Sequence, residues 1–322
     1  MNIYSINKIW KPEIYQGHRR KKKYFEGWYF KLVDKSEENV YSIIAGVATD
    51  KYREKHSFIQ IIDGKKTKSF NFKYSYNDFS YSKDNFKIKI GNNRFSNEKI
   101  MLDIDDKKLQ IQGEIKLNNL KPWPVTIFSP GVMGWYSFVP FMECYHGVLS
   151  MDNNISGVIK VNNEYINFDE GIGYIEKDWG VSFPEAWIWA QSNHFDKEKV
   201  SIFLSIAKIP WLRRSFDGFL VGLLIDNKLY RFTTYTKAKI NKLEYKENII
   251  NIQIVDRKYI LDINIEKGNT AELLSPIEGS MKGKVYESVS GRIRVKLSEK
   301  YNNIIFEGIG RNSGVEITGI LK

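Results

Sequence analysis

From Tyr24 onward, apolar and polar residues alternate with a period of two in short runs, as in Phe86 to Ile90, Ile100 to Ile104, Leu109 to Ile115 and Ile249 to Val255. Turn-forming residues separate the runs: Gly91-Asn92-Asn93, Asp105-Asp106, Asn162-Asn163, Asp226-Asn227 and Asn302-Asn303. No stretch holds a 3.6-residue apolar period long enough for an amphipathic helix. Many short strands at this spacing predict an all-β sandwich or barrel architecture. A chain of 322 residues is too long for one ordinary core, so two are expected.

A weak internal repeat supports that expectation. Glu26-Gly27-Trp28 followed by Ser42 matches Glu185-Ala186-Trp187 followed by Ser201, with 14 residues from Trp to Ser in both. Ile61-Ile62-Asp63-Gly64 then corresponds to Leu224-Ile225-Asp226-Asn227, Ser129-Pro130 and Gly147 to Ser275-Pro276 and Gly291, and Gly171-Ile172-Gly173 to Gly308-Ile309-Gly310. Each copy is then a lipocalin-sized unit. The predicted organisation is a basic N-terminal segment (1–23), a first barrel (24–180) and a second barrel (181–322). Residues present in both copies are assigned to the fold, as with Glu26 and Glu185, Glu143 and Glu287, and Glu170 and Glu307. Polar residues found in one copy need another reason. Tyr145 and His146 face Val289 and Ser290, and Glu176-Lys177-Asp178-Trp179-Gly180 has no counterpart.

Alternation sorts these side chains further. Trp187, Trp189, Gln191 and Asn193 share one strand face, which suits either the wall of an apolar pocket with a polar end or a tryptophan core capped by amides. Tyr24, Glu26, Trp28, Phe30 and Leu32 share another. A carboxylic acid among those aromatics would have its pKa raised by desolvation and could act as an acid, but its repetition at Glu185 favours a structural role. Asp178, close in sequence to Trp179, Trp187 and Trp189, is either a proton donor whose cationic product the indole faces would stabilise or a turn-capping Asp. His146 is either a proton relay or a satisfied core histidine.

Composition narrows the field. Aromatics are abundant, with 19 Tyr, 19 Phe and 8 Trp, and the single Cys144 excludes an internal disulfide framework. The N-terminal residues carry no signal-peptide pattern and no apolar run spans a bilayer, so a cytoplasmic protein is expected. Net charge is +11, with its densest run at His18-Arg19-Arg20-Lys21-Lys22-Lys23, which fits either a solvated segment or peripheral contact with anionic lipid. No nucleic-acid module is recognisable. The four histidines lack zinc-ligand spacing, and there is no P-loop, dinucleotide fingerprint or nucleophile elbow, so no metal or nucleotide is expected.

Tyr24 to Lys31, Ser129-Pro130-Gly131 through Met142-Glu143-Cys144-Tyr145-His146-Gly147, and Glu176 to Pro184 with Trp187 to Asn193 together resemble the tocopherol cyclase family. That family is similar in turn to carotenoid hydratases and other two-barrel, lipocalin-like proteins. The resemblance implies two tandem lipocalin-like β-barrels and acid-catalysed ring closure of a prenylated hydroquinone to a chromanol, without a cofactor. On that reading Asp178 is the acid, Trp179, Trp187 and Trp189 line the cation site, and Tyr145, His146 and Asn193 position the phenol. Trp28, Glu26 and Gln191 complete the substrate-binding set. The alternatives are hydration of an isoprenoid double bond and a non-catalytic barrel that binds a lipid or quinone. The Lys, Ile and Asn bias points to an AT-rich, bacterial coding sequence, in which the substrate need not be a tocopherol precursor.

Overall fold

A computed structural model describes residues 7–211, 214–301 and 303–321. The second residue of the Asn302-Asn303 turn is therefore described and the first is not. The chain divides into two compact units, 1–183 with 272–284, and 184–271 with 285–322. The basic run after His18 thus continues directly into the first unit. Every helix described is a short 3-10 turn.

The first unit contains a 12-stranded sheet whose ladders are all antiparallel. Its centre is the strand Tyr24–Val33, flanked by Val40–Thr49 on one side and Gly171–Gly180 on the other, with Cys144–Val161 beyond that. A 10-stranded sheet supplies the strands of the second unit; in it Trp187–Ser192 lies between Val200–Trp211 and Ile304–Thr318, with Ser280–Glu299 next. Both sheets thus place their first long strand between its sequence neighbour and their last.

Closed barrels were expected, and the ladders do not close. In the first sheet Lys68–Ser75 and Phe79–Tyr81 are the two edges; in the second they are Lys228–Thr233 and Lys239–Lys246. The connection between the two edges is of the same kind in both. A 3-10 turn separates the two edge strands, Tyr76–Asp78 in one and Thr234–Thr236 in the other. Each turn is capped by a hydroxyl, Ser75 accepting from the Asn77 amide and Thr233 from the Thr236 amide.

The first landmark of the repeat sits differently in the two sheets. Trp28 lies opposite Ala45, three residues past Ser42, whereas Trp187 lies opposite Ala207, six past Ser201. Glu26 and Glu185 also differ in environment: the Glu26 side chain is fully buried, and that of Glu185 is 79% exposed beside Lys208. The two sheets share a strand plan without sharing those positions.

Each unit has its own apolar core on one sheet face. In the first, Trp28 and Phe30 stack on Phe86, and Phe30 on Phe95, with Ile43, Ile59, Ile100 and Ile115 around them. In the second, Ile188, Ala190, Ile202, Leu204, Val221 and Val295 fill the equivalent layer. Full burial of each large side chain favours folding by about 1.5–3 kcal/mol. The cores matter here because they use only one face of each central strand; the other carries Phe25, Gly27, Tyr29 and Lys31 in the first unit and Trp187, Trp189 and Gln191 in the second.

Candidate functional site

On the Gly171–Gly180 strand, period-2 alternation sends Tyr174, Glu176 and Asp178 to one face and Ile175, Lys177 and Trp179 to the other. The neighbouring strand continues this division, because residues directly opposite each other share a face. His146 lies opposite Asp178 and Cys144 opposite Gly180, whereas Tyr145 lies opposite Trp179. The residues proposed from the sequence as one site therefore fall on two sides of the sheet. Tyr145 and Trp179 stack on each other at 5.7 Å, on the side opposite Asp178 and His146.

The face turned away from the core holds a chain of proton-bearing groups. His146 Nδ1 is 2.6 Å from Asp178 Oδ1, and His146 Nε2 is 3.6 Å from Glu176 Oε2. The Tyr174 hydroxyl donates to that same Glu176 oxygen at 2.6 Å, and the Cys144 thiol lies 3.9 Å from Asp178 Oδ1. Asp178 is more open than His146, with its side chain 22% exposed against 11%. The ladder row beside it reads Gly46, Gly27, Asp178, His146. Gly27 places no side chain next to the carboxylate, and an added Cβ there would only touch Ile44.

Burial alone would push the His146 pKa down, but the Asp178 carboxylate, then Glu176, outweigh it and push it up to about 9. Burial and the Glu176 charge push the Tyr174 hydroxyl well above its usual range, and burial with Asp178 does the same to the Cys144 thiol. At neutral pH His146 thus keeps its proton, with a neutral phenol and a neutral thiol at the ends of the cluster. The thiol is no nucleophile in this state. The donor atoms of His146, Glu176 and Asp178 also lie within 4.8 Å of one another, close enough for a cation to bridge, although no metal was expected from the sequence.

This arrangement has a stability signature. The His146 pKa is near 9 in the folded state against 6.5 for the free side chain, so its stabilisation is fully present below pH 6.5 and lost as pH rises through about 9. Its full size is about 3 kcal/mol. Denaturant titrations of wild type and His146→Gln should therefore differ by about that amount more near pH 6 than near pH 10. A difference independent of pH would show that His146 does not titrate between those limits.

The core-side face holds an ion pair that sequence reading missed. Lys177 Nζ is 2.5 Å from Glu26 Oε1, with both side chains fully buried. The ammonium lies 4.7 Å from the ring centres of both Trp28 and Trp179 and donates to the carbonyls of Pro12 and Ile14. Burial pushes its pKa down, while Glu26 pulls the other way. Glu26 also accepts from the Tyr24 hydroxyl and from the backbone amides of Gln16 and Gly17. Trp28 donates its indole N–H to the Glu13 carbonyl. Glu26 thus ties the N-terminal segment to the strand through these donors, and Trp28 and Trp179 flank the Lys177 ammonium.

In the second unit, Trp187, Trp189 and Gln191 occupy the face of their strand turned away from the core, and Asn193 follows the strand's end. All four are buried. The Trp187 indole donates to Glu316 at 3.0 Å, a partner no sequence pattern had indicated. The missed members of the first unit, Glu176 and Tyr174, could have been found by extending the alternation back from Asp178. Glu26 and Lys177 are 151 residues apart and carry no such signal.

Comparison with known proteins agrees with this fold and these motifs. The family described as tocopherol cyclase-like matches residues 102–319, about two thirds of the chain. A protein of Oryza sativa subsp. japonica named "Probable tocopherol cyclase, chloroplastic" is 28% identical over 116 residues, 35% of this chain and 25% of that protein. The chloroplastic tocopherol cyclase of Zea mays is 27% identical over 107 residues, 32% of this chain and 23% of that one. The chain thus spans about a quarter of the length of these relatives. Kievitone hydratase from Nectria haematococca superposes with a TM-score of 0.52 over 92% of this chain and 88% of its own, at 12% identity, a likeness of fold alone. With its motifs, its all-β build and a match over most of its length, the chain belongs to the tocopherol cyclase-like family.

Proposed function

We propose that the chain catalyses acid-initiated cyclisation of a prenylated hydroquinone, with the His146–Asp178 couple as proton donor. The observation that carries this reading is the His146 ring held at 2.6 Å from the partly exposed Asp178 side chain, with Glu176 3.6 Å from its other nitrogen. The proton passes from His146 through Asp178 to the less substituted alkene carbon. Departure of the proton leaves the couple more negative just as a tertiary cation forms, so the cluster stabilises the charge it creates. The phenolic oxygen closes the ring on that cation, and the phenolic proton returns to the couple. Substrate and product are isomers, and the enzyme ends as it began.

Incubation with a prenylated hydroquinone followed by mass spectrometry tests the reading. A cyclised product of unchanged mass is expected. Gain of one water would make the chain a hydratase, and recovery of bound, unaltered lipid would make it a carrier; either result overturns cyclisation.

Such a substrate resides in a bilayer, and the first unit has a surface suited to one. No described helix is long and apolar enough to cross a membrane. The segment 125–141, however, exposes Ile127, Phe128, Trp135, Phe138 and Phe141, with Phe141 91% exposed. The Trp10 indole donates to the carbonyls of Thr126 and Ile127 and packs edge-on against Phe138, which holds the segment in place. Arg19, Arg20, Lys21 and Lys22 are also exposed. Apolar side chains entering the interface and basic ones above it should act together. The protein should sediment with vesicles containing phosphatidylglycerol more than with pure phosphatidylcholine, and Phe128→Ser with Phe141→Ser should weaken both. Equal recovery of wild type and variant in the pellet would remove the segment from membrane contact.

A further inference from the structure

Three side chains of different donor type converge on the outer face of the first unit. His146 lies opposite Asp178 across the ladder, and Glu176 precedes Asp178 by two positions on the same strand, so the pleat places all three together. One ligand atom from each lies within 4.8 Å of the other two. The imidazole is the pivot, with Nδ1 2.6 Å from Asp178 and Nε2 3.6 Å from Glu176. Oxygen and nitrogen ligands at about 2.0–2.1 Å from a tetrahedral ion stand about 3.4 Å apart, so side-chain rotations alone would complete such a set here.

Charge and access favour an ion in this place. Lys177 turns its ammonium to the core side, toward Glu26. Lys31, the cation that the neighbouring strand brings to this face, lies opposite Tyr174, one row beyond Glu176 and two beyond Asp178. Along the ladder, Asp178 is therefore met by the proton of His146 and by no lysine. The Tyr174 hydroxyl, donating to Glu176 at 2.6 Å, holds that carboxylate as outer partners of metal ligands commonly do. An ion needs a path from water rather than a cavity, and the Asp178 side chain, 22% exposed beside Gly27, provides one.

We propose that His146, Glu176 and Asp178 form a binding site for a divalent transition-metal ion of the zinc type, each giving one ligand, with a fourth position toward solvent at Asp178. An imidazole nitrogen among the ligands selects zinc or cobalt over magnesium and calcium, which take oxygen. The ion takes the place of the proton between His146 and Asp178, so the two compete for the same atoms. Reversible inhibition of turnover by the ion follows, and this consequence alone rests on the proton-donor reading above.

The test uses the full chain, without a histidine tag and stripped by a chelator. Added Co2+ should give the visible absorption of a four- or five-coordinate site, saturating at a single ion per chain, and Zn2+ but not excess Mg2+ should abolish it. Loss of an outer partner commonly weakens metal binding about 10- to 100-fold, so Tyr174→Phe should fall in that range and Asp178→Asn and Glu176→Gln should each lose about 100-fold or more. Circular dichroism checks that the variants fold, and either carboxylate variant suffices. Unchanged affinity in a folded carboxylate variant, as binding at His18, His56 or His194 would give, overturns the site, as does displacement of Co2+ by Mg2+ or a spectrum that never saturates. Conversion of a prenylated hydroquinone by the stripped protein separates the two readings. A saturating spectrum with an inactive stripped protein keeps the site and removes the proton donor; an active protein with no spectrum does the reverse.

Discussion

Asp178→Asn should lower conversion of a prenylated hydroquinone by about 100- to 10,000-fold, the usual range for loss of a positioned proton donor, while leaving lipid binding intact. The substitution is nearly isosteric, and the side-chain carbonyl can still accept from His146 Nδ1 across the present 2.6 Å. What disappears is charge. Asp178 is the largest influence raising the His146 pKa against burial, so in the variant the imidazole loses its proton at a lower pH. The rate profile carries the diagnostic. In wild type the protonated couple is lost as pH rises through about 9, and activity falls there; in the variant any residual activity should fall at a lower pH. A purely structural Asp178 would reduce activity without moving that limb. Full turnover by Asp178→Asn would remove the couple from the mechanism.

Period-2 alternation, turn residues and the two-core expectation were legible because each is local, and the strands Lys99–Asp105, Gln110–Asn118 and Ile249–Val255 lie where the pattern places them. His146 and Asp178 were singled out because neither had a match in the proposed repeat. Their actual grouping was only half visible. Tyr145 and Trp179 adjoin them in sequence but not in space, because one residue along a strand reverses the face. Applied strictly, the same alternation that sorted Trp187 from Ile188 would have separated Asp178 from Trp179 and added Glu176 and Tyr174. Ladder closure was beyond pattern reading, since it depends on whether strands at opposite ends of a sheet pair, and alternation within one strand carries no record of that. So was the Glu26–Lys177 pair: its stabilisation comes from backbone donors and carbonyls of residues 12–17, whose approach no periodicity records.

That pair yields the second large effect. Lys177→Met should destabilise the protein by about 3–5 kcal/mol in denaturant titration, because it leaves Glu26 charged and buried with only neutral donors around it. Glu26→Gln should cost a similar amount by stranding the ammonium. The double variant should lie well above the sum of the two, since replacing both charges removes the desolvation penalty with the attraction. Single variants within about 1 kcal/mol of wild type would mean that the pair is no structural anchor. The consequence extends to chemistry because Lys177 stands between Glu176 and Asp178 on one strand. Its side chain fastens the strand to the core and to the N-terminal segment, and the backbone so fixed aims both carboxylates at His146 from the opposite face. Lys177→Met should therefore lower turnover at temperatures where the protein is still folded, with the alkaline limb near pH 9 unmoved, because both carboxylates that set the His146 pKa remain in place.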